Sequence, residues 1–98
     1  MAKLTAEQHD ADALELFLHQ QGLTHLRVRR RGDLLTIESA SLDDPIQHAR
    51  LRRVTTQYWQ LEMSARPKLW EPTPFRGPRA ELQQLLVDSF PWMLGARE

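Results

Sequence analysis

The sequence predicts an α+β fold: a two-layer sandwich in which an antiparallel sheet of about four or five strands carries an N-terminal and a C-terminal helix on one face. Three observations predict it. Tyr58 to Ala65 alternates with a period of two, placing Trp59, Leu61, Met63 and Ala65 on one side and Tyr58, Gln60, Glu62 and Ser64 on the other. Residues 26–31 and 34–39 flank Gly32-Asp33, a two-residue connection with glycine first. Both ends of the chain carry helical apolar spacing instead.

The first helix starts from Thr5, because Thr5-Ala-Glu-Gln8 has the form of a capping box, and it stops at Gly22. Leu14, Phe17 and Leu18 form the centre of its apolar stripe. Glu7 and Asp10 lie near its positive end and His19 near its negative end, as the helix dipole favours.

Next comes the hairpin. A type II′ turn at Gly32-Asp33 sets Arg31 opposite Leu34, Arg29 opposite Thr36, Val28 opposite Ile37 and Arg27 opposite Glu38. That register gathers Leu26, Val28, Leu35 and Ile37 on one face and Arg27, Arg29, Arg31, Thr36 and Glu38 on the other. Arg30 falls on the apolar face near the turn, from which its long stem lets the charged head reach water. Ser41 to Pro45 reads as a loop, with Asp43 and Asp44 as turn formers.

Residues 46–54 fit two structures. Ala49 to Val54 alternates as a strand, with Leu51 inward and Arg50 and Arg52 outward, whereas Ile46 to Arg53 also suits a helix. After the strand at Tyr58 to Ala65, Arg66-Pro67 makes a turn, and Lys68 to Glu71 gives a short last strand that Pro72 and Pro74 end. Gly77 and Pro78 then open the second helix, whose stripe is Leu82, Leu85, Leu86 and Phe90. Pro91 closes it, leaving Trp92, Met93 and Leu94 as an apolar tail.

The element order resembles the double-stranded-RNA-binding domain in outline. The loop between the first two strands is only Gly32-Asp33, however, and the start of the second helix offers Arg76 and Arg79 instead of a lysine-rich segment. The likeness is therefore one of topology and assigns no family.

Ninety-eight residues make one small domain, 1–98, without room for a large enclosed active site. An apolar share of 41% and a charged share of 27% mark it as folded and soluble rather than disordered. With no cysteine, thiolate catalysis, disulfides and cysteine-held metals are excluded, and a cytoplasmic setting is expected. No secretory signal and no apolar run near the roughly 20 residues of a bilayer span is present, so no membrane role is expected.

The serines at 39, 41, 64 and 89 lie in no nucleophile motif, and the glycines at 22, 32, 77 and 95 form no phosphate-binding loop. The helical pairs His9 with Asp12 and Glu15 with His19 suit an ordinary charged surface better than a metal. Trp59, Trp70 and Trp92 could line an aromatic ligand slot but read rather as packing residues, with Trp92 lying beyond the helix that would bury it. Accordingly, neither catalysis nor a cofactor or metal is expected.

Net charge is zero but unevenly spread. Residues 1–22 hold one lysine against four acids, whereas residues 23–68 hold nine basic residues against five acids. That central excess concentrates in Arg27, Arg29, Arg31, Arg50 and Arg52, which share a sheet face if residues 46–54 are a strand. Such a face is either solvated surface partly neutralised by Glu38 and Glu62, or a candidate site for an anion or a partner. The leading expectation is a noncatalytic protein-interaction or self-association module, using its outward sheet face or an open edge. The alternative is a nucleic-acid-binding module that uses the arginines.

Overall fold

The computed structural model describes residues 5–39, 46–66 and 69–89, together with the backbone but not the side chains of 65 and 66. Within them the order is α1 (Gln8–Gln20), β1 (Leu26–Arg31), β2 (Leu34–Ser39), β3 (Gln47–Arg53), β4 (Trp59–Arg66), β5 (Leu69–Gly77) and α2 (Arg79–Ser89). The strands form one antiparallel sheet in the sequential order β1-β2-β3-β4-β5. Both helices pack on one face of it, as the sequence predicts.

α1 begins two or three residues later than the Thr5 capping box implies. The Ala6 amide donates to the Gly32 carbonyl at 2.8 Å, and Ala6 is buried, so residue 6 belongs to the core rather than to a helical turn. Glu7 takes the cap position in extended conformation, and its amide donates to Asp10 Oδ2 at 3.2 Å. The other end follows the sequence: Gly22 adopts a φ of +87°, its amide donates to His19 O, and the Leu23 amide donates to Leu18 O. These two bonds are a Schellman motif, which closes the helix where glycine tolerates the left-handed backbone.

The β1–β2 register is the one the hairpin turn dictates, from Arg31↔Leu34 to Arg27↔Glu38, with Gly32 at a φ of +58°. Residues 47–53 form a strand, which settles the two readings of that segment. Helical spacing there is overridden because Leu51 and Ala49 pair with Leu35 and Ile37 on one side and with Leu61 and Met63 on the other. A bulge follows. Ile37 faces Ala49 but Glu38 faces Gln47, so His48 is the extra residue on β3.

β5 corrects the expectation of a short strand ended by Pro72 and Pro74. It runs nine residues, through both prolines. An edge strand tolerates residues without an amide donor, and the register absorbs them: β4 residues Gln60 and Glu62 face Arg76 and Pro72, leaving extra residues on β5 between. The buried Thr73 holds this irregularity, with Oγ1 donating to Leu61 O at 2.8 Å and accepting from the Phe75 amide at 3.2 Å.

α2 starts at Arg79, and the Pro78 carbonyl accepts from the Glu81 and Leu82 amides. The inward sheet face supplies Leu26, Leu35, Ile37, Leu51, Trp59 and Leu61 to the core, met by Leu14 and Leu18 of α1 and Leu82 and Leu86 of α2. The expected loop at 41–45, the turn residue Pro67, Phe90 and the tail at 92–94 lie outside the described residues.

Candidate anion-binding sheet face

Residues directly opposite in an antiparallel pair share a face, so the registers place the predicted arginines without ambiguity. One row across the sheet reads Arg29–Thr36–Arg50–Glu62–Pro72, and the next reads Arg31–Leu34–Arg52–Gln60–Arg76. Arg27 pairs with Glu38 on the same side. All five predicted arginines therefore project from the face opposite the helices. Arg76, which the sequence placed at the entry to the second helix, joins them instead because β5 continues past its prolines.

The face is organised around two buried carboxylates. Glu38 Oε1 accepts from Arg27 Nε at 2.8 Å, with Arg29 Nε farther off at 3.5 Å. Glu62 bridges two arginines, taking Arg50 Nε on Oε1 and Arg52 Nε on Oε2, the latter at 3.1 Å. Arg52 also reaches Asp33 Oδ2 at 3.3 Å across the hairpin turn. The sequence signalled charge pairing here but not that Glu38 and Glu62 lie beneath the arginine side chains, at 1% and 7% exposure.

Burial alone would push the Glu62 carboxyl upward. The hydrogen bonds from Arg50 and Arg52 outweigh it, and the net effect holds Glu62 below its ordinary value. Arg52 moves the opposite way, its charged form favoured first by the hydrogen bond to Glu62, against desolvation, and further by the charges of Glu62 and Asp33.

Glu38 and Glu62 engage Arg27 and Arg50 through Nε, which leaves the terminal guanidinium nitrogens of those two arginines for other acceptors, whereas Arg52 also gives Nη1 to Asp33. Arg31 and Arg76 are exposed and have no acidic partner among the described residues. Trp70, opposite Ser64, lies on this face and carries the Arg50 guanidinium 4.4 Å from its ring centroid. Trp59 is a core residue, as expected, whereas Trp70, also expected to pack inward, lies on the outward face because it pairs with Ser64; Trp92 lies outside the described residues.

The two sheet edges are blunted. On β1 the Leu26 amide donates to Leu23 O, the Leu26 carbonyl accepts from His19 Nε2 at 2.8 Å, and the Val28 amide donates to Glu15 Oε1 at 2.9 Å. Because a carbonyl only accepts, Nε2 of His19 carries the proton. Glu15 and His19 thus serve the strand edge, and Asp12 accepts from Gln8 Nε2. On β5, Pro72 and Pro74 remove amide donors from the other edge.

Two further clusters were hidden from sequence reading because they depend on irregular backbone. The β3 bulge brings His48 Nε2 to 2.6 Å from Ser39 Oγ, a contact that ties the bulge to the end of β2. Asp10 lies 3.4 Å from Arg79 Nε and 3.8 Å from Arg53 Nη1, joining α1, β3 and α2 at one end of the core. Glu7, His9 and Asp10 also place ligand atoms within 4.8 Å of one another, but Glu7 and His9 are exposed and Asp10 is already committed to the helix cap and the arginines. Among the described residues no helix is long and apolar enough to cross a membrane.

Compared with known proteins, the chain matches no family model, no curated protein and no solved structure.

Proposed function

We propose that this protein is a noncatalytic interaction module that docks an anionic partner, an acidic protein surface or a nucleic acid, on the outward face of its sheet. The observation that carries the reading is the arrangement of the sheet. Both helices cover one face, both edges are blunted, and the remaining face collects six arginines against Asp33, Glu38 and Glu62. Partner docking by strand addition, one form the sequence left open, loses support from those edges. The face itself gains support, since Arg27, Arg29, Arg50 and Arg52 are held by the buried carboxylates Glu38 and Glu62, which lowers the ordering cost of binding. The reading assumes the cytoplasm, a compartment with which the absence of cysteine is compatible.

The test is titration of the isotopically labelled protein with polyphosphate and with polyglutamate, followed by amide NMR, with sedimentation of the same samples. Shifts confined to outward positions of β1, β3 and β5, abolished by Arg29→Glu with Arg52→Glu, are expected. Absence of binding to either polyanion at low salt would sink the reading.

A further inference from the structure

We propose that the anionic partner is a single-stranded nucleic acid, which lies across the strands along the row Arg31, Arg52 and Arg76. This deepens the docking reading above and rests on it. The three arginines sit on β1, β3 and β5 at one level of the sheet. Strand spacing puts successive members roughly 10 Å apart and the ends of the row roughly 19 Å apart. Arg31 and Arg76 are exposed and Arg52 is 38% exposed, so the row forms an accessible track of cations rather than one isolated pair.

Charge alone suits any polyanion. What favours nucleic acid is the flat apolar surface between the charges. Leu34 stands between Arg31 and Arg52 in the row, Pro72 lies in the neighbouring row, and Trp70 offers a half-buried ring already stacked against Arg50. Tyr58, 51% exposed, immediately precedes β4. An acidic peptide would use the guanidinium groups and leave these surfaces unoccupied. A single strand presents phosphates to the arginines and unpaired bases to the planar side chains, the combination such proteins use. A duplex is disfavoured because the hairpin turn at Gly32-Asp33 is too short to enter a groove from this flat face.

The test is fluorescence anisotropy of labelled oligothymidylate, oligouridylate and a duplex of matching length with the full chain, over about 50 to 200 mM salt, with polyglutamate as competitor. Single strands of one or both sugars are expected to bind best, with affinity falling as salt rises. Arg31→Ala with Arg76→Ala should reduce the slope of log affinity against log salt by about 1.4. Trp70→Ala or Tyr58→Ala should weaken oligonucleotide binding about tenfold while leaving polyglutamate competition unaltered. Both arginines are exposed and have no acidic partner among the described residues, so their loss is expected to leave the fold intact, which circular dichroism verifies. The proposal is overturned by a slope that the arginine substitutions leave unchanged, or by a duplex that binds as tightly as the single strands. Polyglutamate that binds while oligonucleotides do not would remove the nucleic-acid assignment and leave the docking face standing. No binding by either polymer would remove both.

Discussion

Glu62 holds Arg50 and Arg52 together from beneath the sheet surface, and its replacement uncouples them, leaving Arg52 with Asp33 and Arg50 on Trp70. Glu62→Gln keeps the size but removes the charge; a loss of about 2 kcal/mol is expected, in line with hydrogen bonds to charged groups. The sign with pH follows from the direction of the shift. Because the folded carboxyl sits below its ordinary value of 4.5, its contribution is complete above that value and disappears as pH falls through the depressed folded pKa. Acid unfolding of Glu62→Gln should therefore begin from lower stability and show a shallower decline, which urea titrations at stepped pH would measure. Two glycines make a contrasting pair. Gly22→Ala meets no atom within 4 Å but must keep a φ of +87°, and should cost about 1–2 kcal/mol. Gly77→Ala meets only the end of the flexible Glu81 side chain, at 3.0 Å, and should cost less. Equal losses would contradict the backbone account.

At the scale of elements, α1 does two jobs: its apolar stripe seals the core, and Glu15 and His19 occupy hydrogen-bonding groups along β1. Glu15→Ala with His19→Ala should leave the core stripe in place but free that edge, so the sedimenting mass should rise with concentration where the parent protein's does not. The sequence made the β1–β2 hairpin legible down to its register, since the turn chemistry and the period-two alternation impose the same pairing. It left 46–54 undecided because helical and extended spacing coexist there, and only pairing with β2 and β4 chooses between them. It truncated β5 because the proline rule depends on whether a strand is central or at an edge, a property of the assembled sheet. The same limitation hid Arg76. The five arginines it named do share one face, whereas the burial of Glu38 and Glu62 beneath them follows from side chains folding across strands, which one-dimensional pattern does not record.

For the molecule as a whole, an antiparallel sheet covered by helices on one face leaves the other face open, and the proposed docking uses that face. The binding predictions belong to this scale, because no single arginine makes the site. Arg31, Arg52 and Arg76 become a track only when strands far apart in sequence are laid side by side. The charge asymmetry visible in the sequence thus becomes a spatial one: the acidic first helix lies over the inward face and the basic middle segment lines the outward one.

Every sheet pairing joins strands adjacent in sequence, whereas Asp10 and Arg79 meet from opposite ends of the chain. This difference orders events in time. Neighbouring strands close short loops at low entropic cost, so the sheet can assemble outward from its hairpins at the fast end of the range for mixed folds. The Asp10 contact closes a long loop and is expected to form after the rate-limiting barrier. Asp10→Ala should then hasten unfolding severalfold while leaving refolding nearly unchanged, a split that the two arms of a chevron plot display directly. Refolding slowed by the same substitution would mean that the chain's two ends find each other early.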